Sequence, residues 1–170
     1  MNTRSVPRAR VGISTLAVFA LTVTTHAQWT VTDLSPIGAF NSQALGADGA
    51  YQAGWAELGE GTRASLWSGT AASWIDLHPA IAGVSQANAI TGGQQGGWVT
   101  IGPDVHASVW TGTAASWIDL NPAGATLSRV FGLGDGLQVG ITGVNGTTHA
   151  SLWSGSAGSW IDLHPASATG

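Results

Sequence analysis

The chain has 170 residues, which suits one domain of ordinary size. Hydrophobic residues make up 44% of it, so a packed core is expected, whereas charged residues make up only 8%, where about a quarter is usual. Lysine and cysteine are absent, which excludes phosphate-binding lysine loops, Schiff-base chemistry, disulfides and thiolate sites. The formal charge is −4, and most arginines lie at the N-terminus, so nucleic acid is not an expected partner.

Residues 1–27 have the organisation of a secretory signal peptide. Three arginines lie within the first ten residues, an apolar stretch follows over Val11–Val23, and Thr25-His26-Ala27 places small residues before a cleavage site. The apolar stretch is too short for a membrane span, which needs about 20 residues. We therefore expect cleavage after Ala27, a secreted (extracellular or periplasmic) mature chain of residues 28–170, and no permanent membrane anchor.

A repeat of 43 residues organises the rest of the chain. Residues 63–80, 106–123 and 149–166 read RASLWSGTAASWIDLHPA, HASVWTGTAASWIDLNPA and HASLWSGSAGSWIDLHPA. The connectors before them are equal in length and looser in sequence. The mature chain is thus predicted to be a single β-repeat domain, with units at about 38–80, 81–123 and 124–166 and a lone strand at 30–36 before them.

Each unit is predicted to form four short strands. In the first unit these lie around Ser42–Leu45, Gln52–Trp55, Ala64–Trp67 and Ser73–Leu77, with glycine-containing turns between them. Both faces of the strands carry apolar residues, as a sheet packed between two others requires. We predict an all-β fold in which three 43-residue, four-stranded antiparallel units form a partial, open β-propeller. A closed threefold barrel of the β-trefoil or prism type is the alternative.

Tryptophan and aspartate recur at fixed positions of the repeat. The two complete tryptophan columns and the aspartate column are Trp67, Trp110 and Trp153; Trp74, Trp117 and Trp160; and Asp76, Asp119 and Asp162. We interpret the rings as repeated core packing and the carboxylates as strand-end hydrogen-bond acceptors. Exposed rings that stack on sugars are the alternative interpretation. Trp29 lies outside every column and is predicted to be exposed.

No catalytic residue, cofactor site or metal site is predicted. At one repeat position the four copies read Ser35, His78, Asn121 and His164, and at another the three copies read Arg63, His106 and His149. Such variation suits a turn or an edge better than a set of metal ligands. The chain contains neither a nucleophile-elbow motif nor a zinc-protease motif. No second acid recurs beside the aspartate column, so calcium binding and paired-carboxylate catalysis are disfavoured.

The units resemble the bacterial extracellular HAF repeat family. The resemblance lies in Leu137–Gly140, His149–Trp153 and Trp160–Leu163, which match the family's GQVVG, HAFLW and MTDLG motifs, and it extends over residues 31–166. Serine replaces the phenylalanine of the HAF motif in every copy. The resemblance implies secreted, propeller-like β repeats of unknown activity, and it supplies no catalytic residues.

These features predict a secreted, non-catalytic β-repeat protein with a structural or interaction-mediating role. A lectin-like carbohydrate-binding module is the alternative, with a glycan as partner, and an extracellular enzyme is a weaker one. A propeller ring closes with about four to eight blades, so three units leave apolar faces at both ends. We therefore expect self-association, with two chains completing a six-unit ring, or contact with another extracellular protein. The alternative is that the chain is a remnant of a longer repeat protein.

Overall fold

The computed structural model describes residues 29–165, and the predicted signal peptide lies outside them. The first sheet contains β1 (Asn41–Asp48), β2 (Tyr51–Leu58), β3 (Gly61–Trp67) and β4 (Ile75–Asp76). The second contains β5 (Ser85–Thr91), β6 (Gln94–Ile101), β7 (Asp104–Trp110) and β8 (Ile118–Asp119). The third contains β9 (Ser128–Gly134), β10 (Leu137–Val144), β11 (Thr147–Trp153) and β12 (Ile161–Asp162).

Within each sheet the strands are antiparallel and lie side by side in sequence order. The described residues thus form three sheets of similar size in an open, propeller-like arrangement, which confirms the predicted fold. They close no barrel, so the alternative of a threefold barrel is wrong. None of their helical segments has the length and apolar character needed to cross a membrane.

The hairpins follow from the turn residues. Gly92 and Gly93 both have positive φ, as do Asn145 and Gly146. Two consecutive residues of positive φ give a tight turn whose twist matches that of the flanking strands. The glycine- and asparagine-containing turns therefore set the register of the long strands.

The fourth strand is shorter than predicted. Ser73, the first residue of the expected Ser73–Leu77 strand, instead ends a 3₁₀ turn over Ala71–Ser73, because its hydroxyl accepts the Ser68 N–H and donates to the Thr70 carbonyl. Only two residues, Ile75 and Asp76, then pair with β3. The turns at Ala114–Ser116 and Ala157–Ser159 repeat this geometry.

The lone strand expected at 30–36 is absent from the structure. A fourth strand pairs with the third strand of its own unit, as Asp76 pairs with Ser65. Residues 31–36 have no such third strand beside them among the described residues, and the segment is accordingly irregular.

The first strand of each unit bulges where it passes a glycine of the second strand. The register shifts in β1, β5 and β9 lie beside Gly54, Gly97 and Gly140. A Cβ added to any of these glycines would overlap the backbone carbonyl of the neighbouring strand. This close approach explains why a glycine recurs two residues after Gln52, Gln95 and Gln138.

The sheets pack face to face through the first strand of the following unit. β5 lies across β1, β2 and β3, and β9 lies across β5, β6 and β7. We define the forward face of a sheet as the side that meets the next sheet. Its members, in successive sheets, are Ala64, Leu66 and Leu77; Ala107, Val109 and Leu120; and Ala150, Leu152 and Leu163.

Candidate functional site

The two tryptophan columns occupy different environments. Trp67, Trp110 and Trp153 are 1%, 0% and 0% exposed, and their indole nitrogens have no hydrogen-bond partner among the described residues. The second column is half-buried. In it, Trp74, Trp117 and Trp160 donate their indole N–H to Ser65, Ser108 and Ser151 at 2.9, 3.0 and 3.0 Å. Ser65, Ser108 and Ser151 thus anchor the second ring of their units, whereas Trp29 is exposed.

Each aspartate of the column holds the end of its own fourth strand. Asp76 accepts the backbone N–H of His78 through Oδ1 and the Arg63 guanidinium through Oδ2, both at 2.8 Å. In the third sheet, Asp162 accepts the N–H of His164 and pairs with the His149 ring at 2.7 Å. The hydrogen bond from His149 lowers the pKa of the Asp162 carboxyl.

The three aspartates are therefore engaged in separate sheets and are not brought together as a site. Asp119 of the second sheet repeats the pattern with the Asn121 N–H and the His106 ring, both at 2.8 Å. Among residues 29–165 no three histidine or carboxylate side chains are grouped so that they could hold a metal ion.

A serine–histidine pair lies at the boundary between the first two sheets. The Ser85 hydroxyl is 2.8 Å from His78 Nδ1, and His78 Nε2 is 3.1 Å from the Ala82 carbonyl. Nε2 must carry the proton to donate to that carbonyl, so Nδ1 accepts from the serine hydroxyl. Burial, followed by the nearby Arg63 charge, lowers the pKa of His78 and favours this neutral ring.

The same serine also joins the backbones of the two sheets. Ser85 Oγ accepts the N–H of Ala64 in β3 at 2.8 Å, and Ser85 is fully buried. Donation to His78 and acceptance from Ala64 thus engage the hydroxyl on both sides. A buried hydroxyl in this state is not presented to a substrate.

The second boundary reproduces every one of these hydrogen bonds without a histidine. Ser128 accepts the Ala107 N–H at 2.8 Å and donates to the Asn121 side-chain carbonyl at 2.5 Å. The Asn121 amide then donates to the Ala125 carbonyl at 2.7 Å. We call this arrangement, with Ser85 or Ser128 at its centre, the serine bridge. Because an amide replaces the imidazole, the geometry does not depend on acid–base chemistry.

An open cleft of about 770 Å³ lies beside the first serine bridge. Glu60, Arg63 and His78 line its polar side, and Trp117 contributes an aromatic wall. Arg63 is paired with Glu60 at 2.9 Å and with Asp76 at 2.8 Å. The cleft therefore offers paired charged groups beside an aromatic ring.

The corresponding cleft at the second boundary is smaller and has no charged residue in its lining. It has a volume of about 230 Å³ and is lined by Trp160, Pro122 and residues of the β10–β11 turn such as Asn145. Neither an arginine nor a carboxylate lines it. Glu60 and Arg63, whose positions hold neither a carboxylate nor an arginine in the other two units, therefore distinguish the first cleft from the second.

The forward face of the third sheet is open. Leu163 is 50% exposed, whereas Leu77 and Leu120 at the same repeat position are both fully buried. Ala150 is likewise exposed, although its counterparts in the first two sheets are buried. An apolar face that is core in two units is thus accessible in the third.

Ser42, Ser85 and Ser128 recur at one position of the 43-residue repeat, but the sequence alone did not predict their role. The available signal was a serine that recurs on the first strand of each unit, two residues before the apolar Ala44, Ala87 or Val130. Comparison of the chain with family models, with curated proteins and with solved structures gave no match. The resemblance to HAF repeats therefore rests on the sequence motifs alone.

Proposed function

We propose that this chain is a secreted, non-catalytic β-repeat protein that acts by protein–protein interaction. The observation that carries the proposal is the exposure of Leu163 at 50%, where Leu77 is fully buried. A forward face normally receives another repeat, so an exposed one is suited to receive a partner of the same kind. The HAF-like motifs and the signal-peptide pattern support a role outside the cytoplasm.

The absence of catalysis is supported by the serine bridge. Two hydroxyls lie beside a histidine ring among the described residues. One is Ser85 beside His78, and Asn121 takes the place of that histidine at the next boundary. The other is Thr147, 2.9 Å from His149 Nε2, whose hydroxyl also donates to the Val144 carbonyl. Replacement of His78 by asparagine should therefore leave the function intact. An ester-hydrolysis activity that disappears in both Ser85→Ala and His78→Asn would overturn this part of the proposal.

Hydrogen exchange tests the open face directly. In dilute, monomeric protein the backbone amide of Ala150 should exchange much faster than those of Ala64 and Ala107, whose N–H groups are bonded to buried serines. Equal protection of the three amides would mean that the face is closed, and the proposal would fail. Mass spectrometry of the exported protein, with Gln28 expected as the first residue, tests secretion separately.

Carbohydrate binding is a second candidate, favoured by the cleft that holds Trp117, Arg63 and Glu60. A half-buried ring beside paired charged groups can stack on a sugar and bond to its hydroxyls. Titration with oligosaccharides, followed by tryptophan fluorescence, tests this candidate. Trp117→Ala should abolish the response, whereas Trp160→Ala, in the smaller cleft, should preserve it. No saturable response to any oligosaccharide would remove the candidate.

A further inference from the structure

The first strand of each unit is the element that docks on the preceding sheet. β5 and β9 each lie across three strands of the sheet before them. Ser85 and Ala87 of β5, and Ser128 and Val130 of β9, are fully buried as a result. The same two repeat positions of the first strand are therefore buried at both boundaries between sheets.

β1 carries the same pattern, but no preceding sheet lies against it among the described residues. Ser42 is only half-buried and Ala44 is exposed, although they are in register with the fully buried Ser85 and Ala87. Within residues 29–165 the Ser42 hydroxyl bonds only to the Ser35 hydroxyl, at 3.0 Å. The strand thus presents a docking surface that is already used twice in the same molecule.

We propose that β1 of a second copy docks on the forward face of the third sheet, across β9, β10 and β11. The inference rests on the proposed function, because it names the partner of the same open face. In the complex, Ser42 of one copy accepts the N–H of Ala150 of the other, as Ser85 accepts that of Ala64. Leu163 is then covered as Leu77 and Leu120 are.

The expected assembly contains two copies. Residues 29–165 of each copy present one exposed first strand and one open forward face, so the contact is head-to-tail and forms a ring when the rotation closes. A propeller ring takes about four to eight blades. Two copies of a three-sheet body give six blades, whereas one copy is too few and three are too many.

Charge opposes this association at low salt. The described residues carry nine carboxylates and two arginines, Arg63 and Arg129, and so have a formal net charge of −7. Two copies therefore repel each other at long range. Screening weakens that repulsion, with a Debye length of about 8 Å at physiological ionic strength. The dimer should therefore tighten as salt rises from low to physiological concentration.

Light scattering after size exclusion tests the stoichiometry on the full chain, purified after export. The expected mass is that of two chains, with dissociation on dilution. Leu163→Asp should weaken the dimer by on the order of tenfold or more, since a charge would face an apolar surface. Ile161→Asp is the matched control. Ile161 is 52% exposed, and its counterparts Ile75 and Ile118 remain 42% and 45% exposed beside a packed neighbour.

Disulfide formation tests the register, because the chain has no cysteine of its own. A chain carrying Ser42→Cys and Ala150→Cys should form covalent dimers under mild oxidation, whereas either single substitution at these positions should not form this bond. The pair Ala64→Cys and Ser85→Cys within one chain calibrates the geometry, since Ser85 Oγ and Ala64 N are 2.8 Å apart.

Each outcome decides the inference. A chain that stays monomeric, that grows past two copies, or whose dimer is indifferent to Leu163→Asp would overturn it. So would failure of the 42–150 crosslink when the 64–85 crosslink forms. If the chain is monomeric and the Ala150 amide exchanges rapidly, the second copy is wrong as partner but the open face of the proposed function stands. If that amide is protected in the monomer, both fail.

Discussion

The Ser128 hydroxyl accepts the backbone N–H of Ala107 at 2.8 Å, across the boundary between the second and third sheets. The Ala107 N–H needs this acceptor because the fourth strand of the second sheet, β8, has already turned away from β7 at this point. The Ala107 carbonyl still receives the Leu120 N–H, at 2.8 Å, but β8 ends one residue earlier. A side chain from the next unit thus completes the hydrogen bonding of a strand edge, and the short fourth strand depends on its neighbour.

Ser128→Ala should lower the free energy of unfolding by about 1–3 kcal/mol, because the buried Ala107 N–H is then left without a hydrogen-bond acceptor. Asn121 loses its partner in the same variant. Urea unfolding of dilute protein measures the loss. Ser42→Ala is the control and should change stability by less than about 0.5 kcal/mol, since Ser42 is partly exposed. A loss below about 0.5 kcal/mol in Ser128→Ala as well would show that the bridge contributes no stability.

Trp110→Ala should cost about 3–5 kcal/mol, the usual result of emptying a buried aromatic site. Trp110 is 0% exposed and belongs to the core between the first two sheets. Trp29, 95% exposed, provides the contrast, and its replacement by alanine should have little effect. Denaturant melts of the two variants give the comparison. Small losses in both would mean that the column is not core and would favour rings available to sugars.

Much of the fold could be predicted because the same pattern of strands and turns occurs three times in the sequence. Three copies of the strand around Trp67 and of the turn after it average out local ambiguity. The fourth strand was predicted too long, since the sequence does not reveal that the Ser73 hydroxyl bonds to Ser68 and Thr70 and so stabilises a 3₁₀ turn. The lone strand at 30–36 was predicted from its match to residues 73–79. That match says nothing about whether a partner strand lies beside it.

The site was less predictable than the fold. The aspartate column was assigned to strand ends, where Asp76 indeed accepts the His78 N–H, but its second bond to Arg63 depends on the register of β3 and β4. The role of Ser85 depends on packing between sheets, which a single sequence does not encode in any local pattern. Such contacts join residues 21 apart, as Ala64 and Ser85 do.

Gly97→Ala should destabilise the protein by on the order of 3 kcal/mol or more, at the upper end of overpacking effects. An added Cβ would overlap the Gln86 carbonyl, which is backbone and cannot move aside alone. Gly158→Ala is the matched substitution in an open position, where nothing lies near the added methyl group. Ala72 and Ala115 occupy that position in the other units, so this change should stabilise by about 0.4–1 kcal/mol. Similar thermal midpoints for the two variants would contradict the close approach of β5 and β6.

The His78 ring should make stability depend on pH below neutrality. Its pKa in the folded protein lies below the ordinary 6.5, first because of burial and then because of the Arg63 charge, with Asp76 and Glu60 opposing. The unfolded chain therefore binds the proton more readily than the folded chain does. The contribution of neutral His78 is complete above pH 6.5 and is lost as the pH falls from there towards the folded pKa.

His78→Asn should flatten this dependence while keeping the fold, because Asn121 makes the same bonds to Ser128 and to the Ala125 carbonyl. Urea midpoints of the variant and the unmodified chain should agree at pH 7.5 and diverge towards pH 5, where the variant becomes the more stable. The other histidines are common to both proteins and cancel in the difference. The lowered pKa of the Asp162 carboxyl acts only as the pH falls below its ordinary 3.8, outside this window. A constant difference between the two proteins from pH 7.5 to pH 5 would show that His78 does not titrate with unfolding, and that the serine bridge tolerates the charged ring.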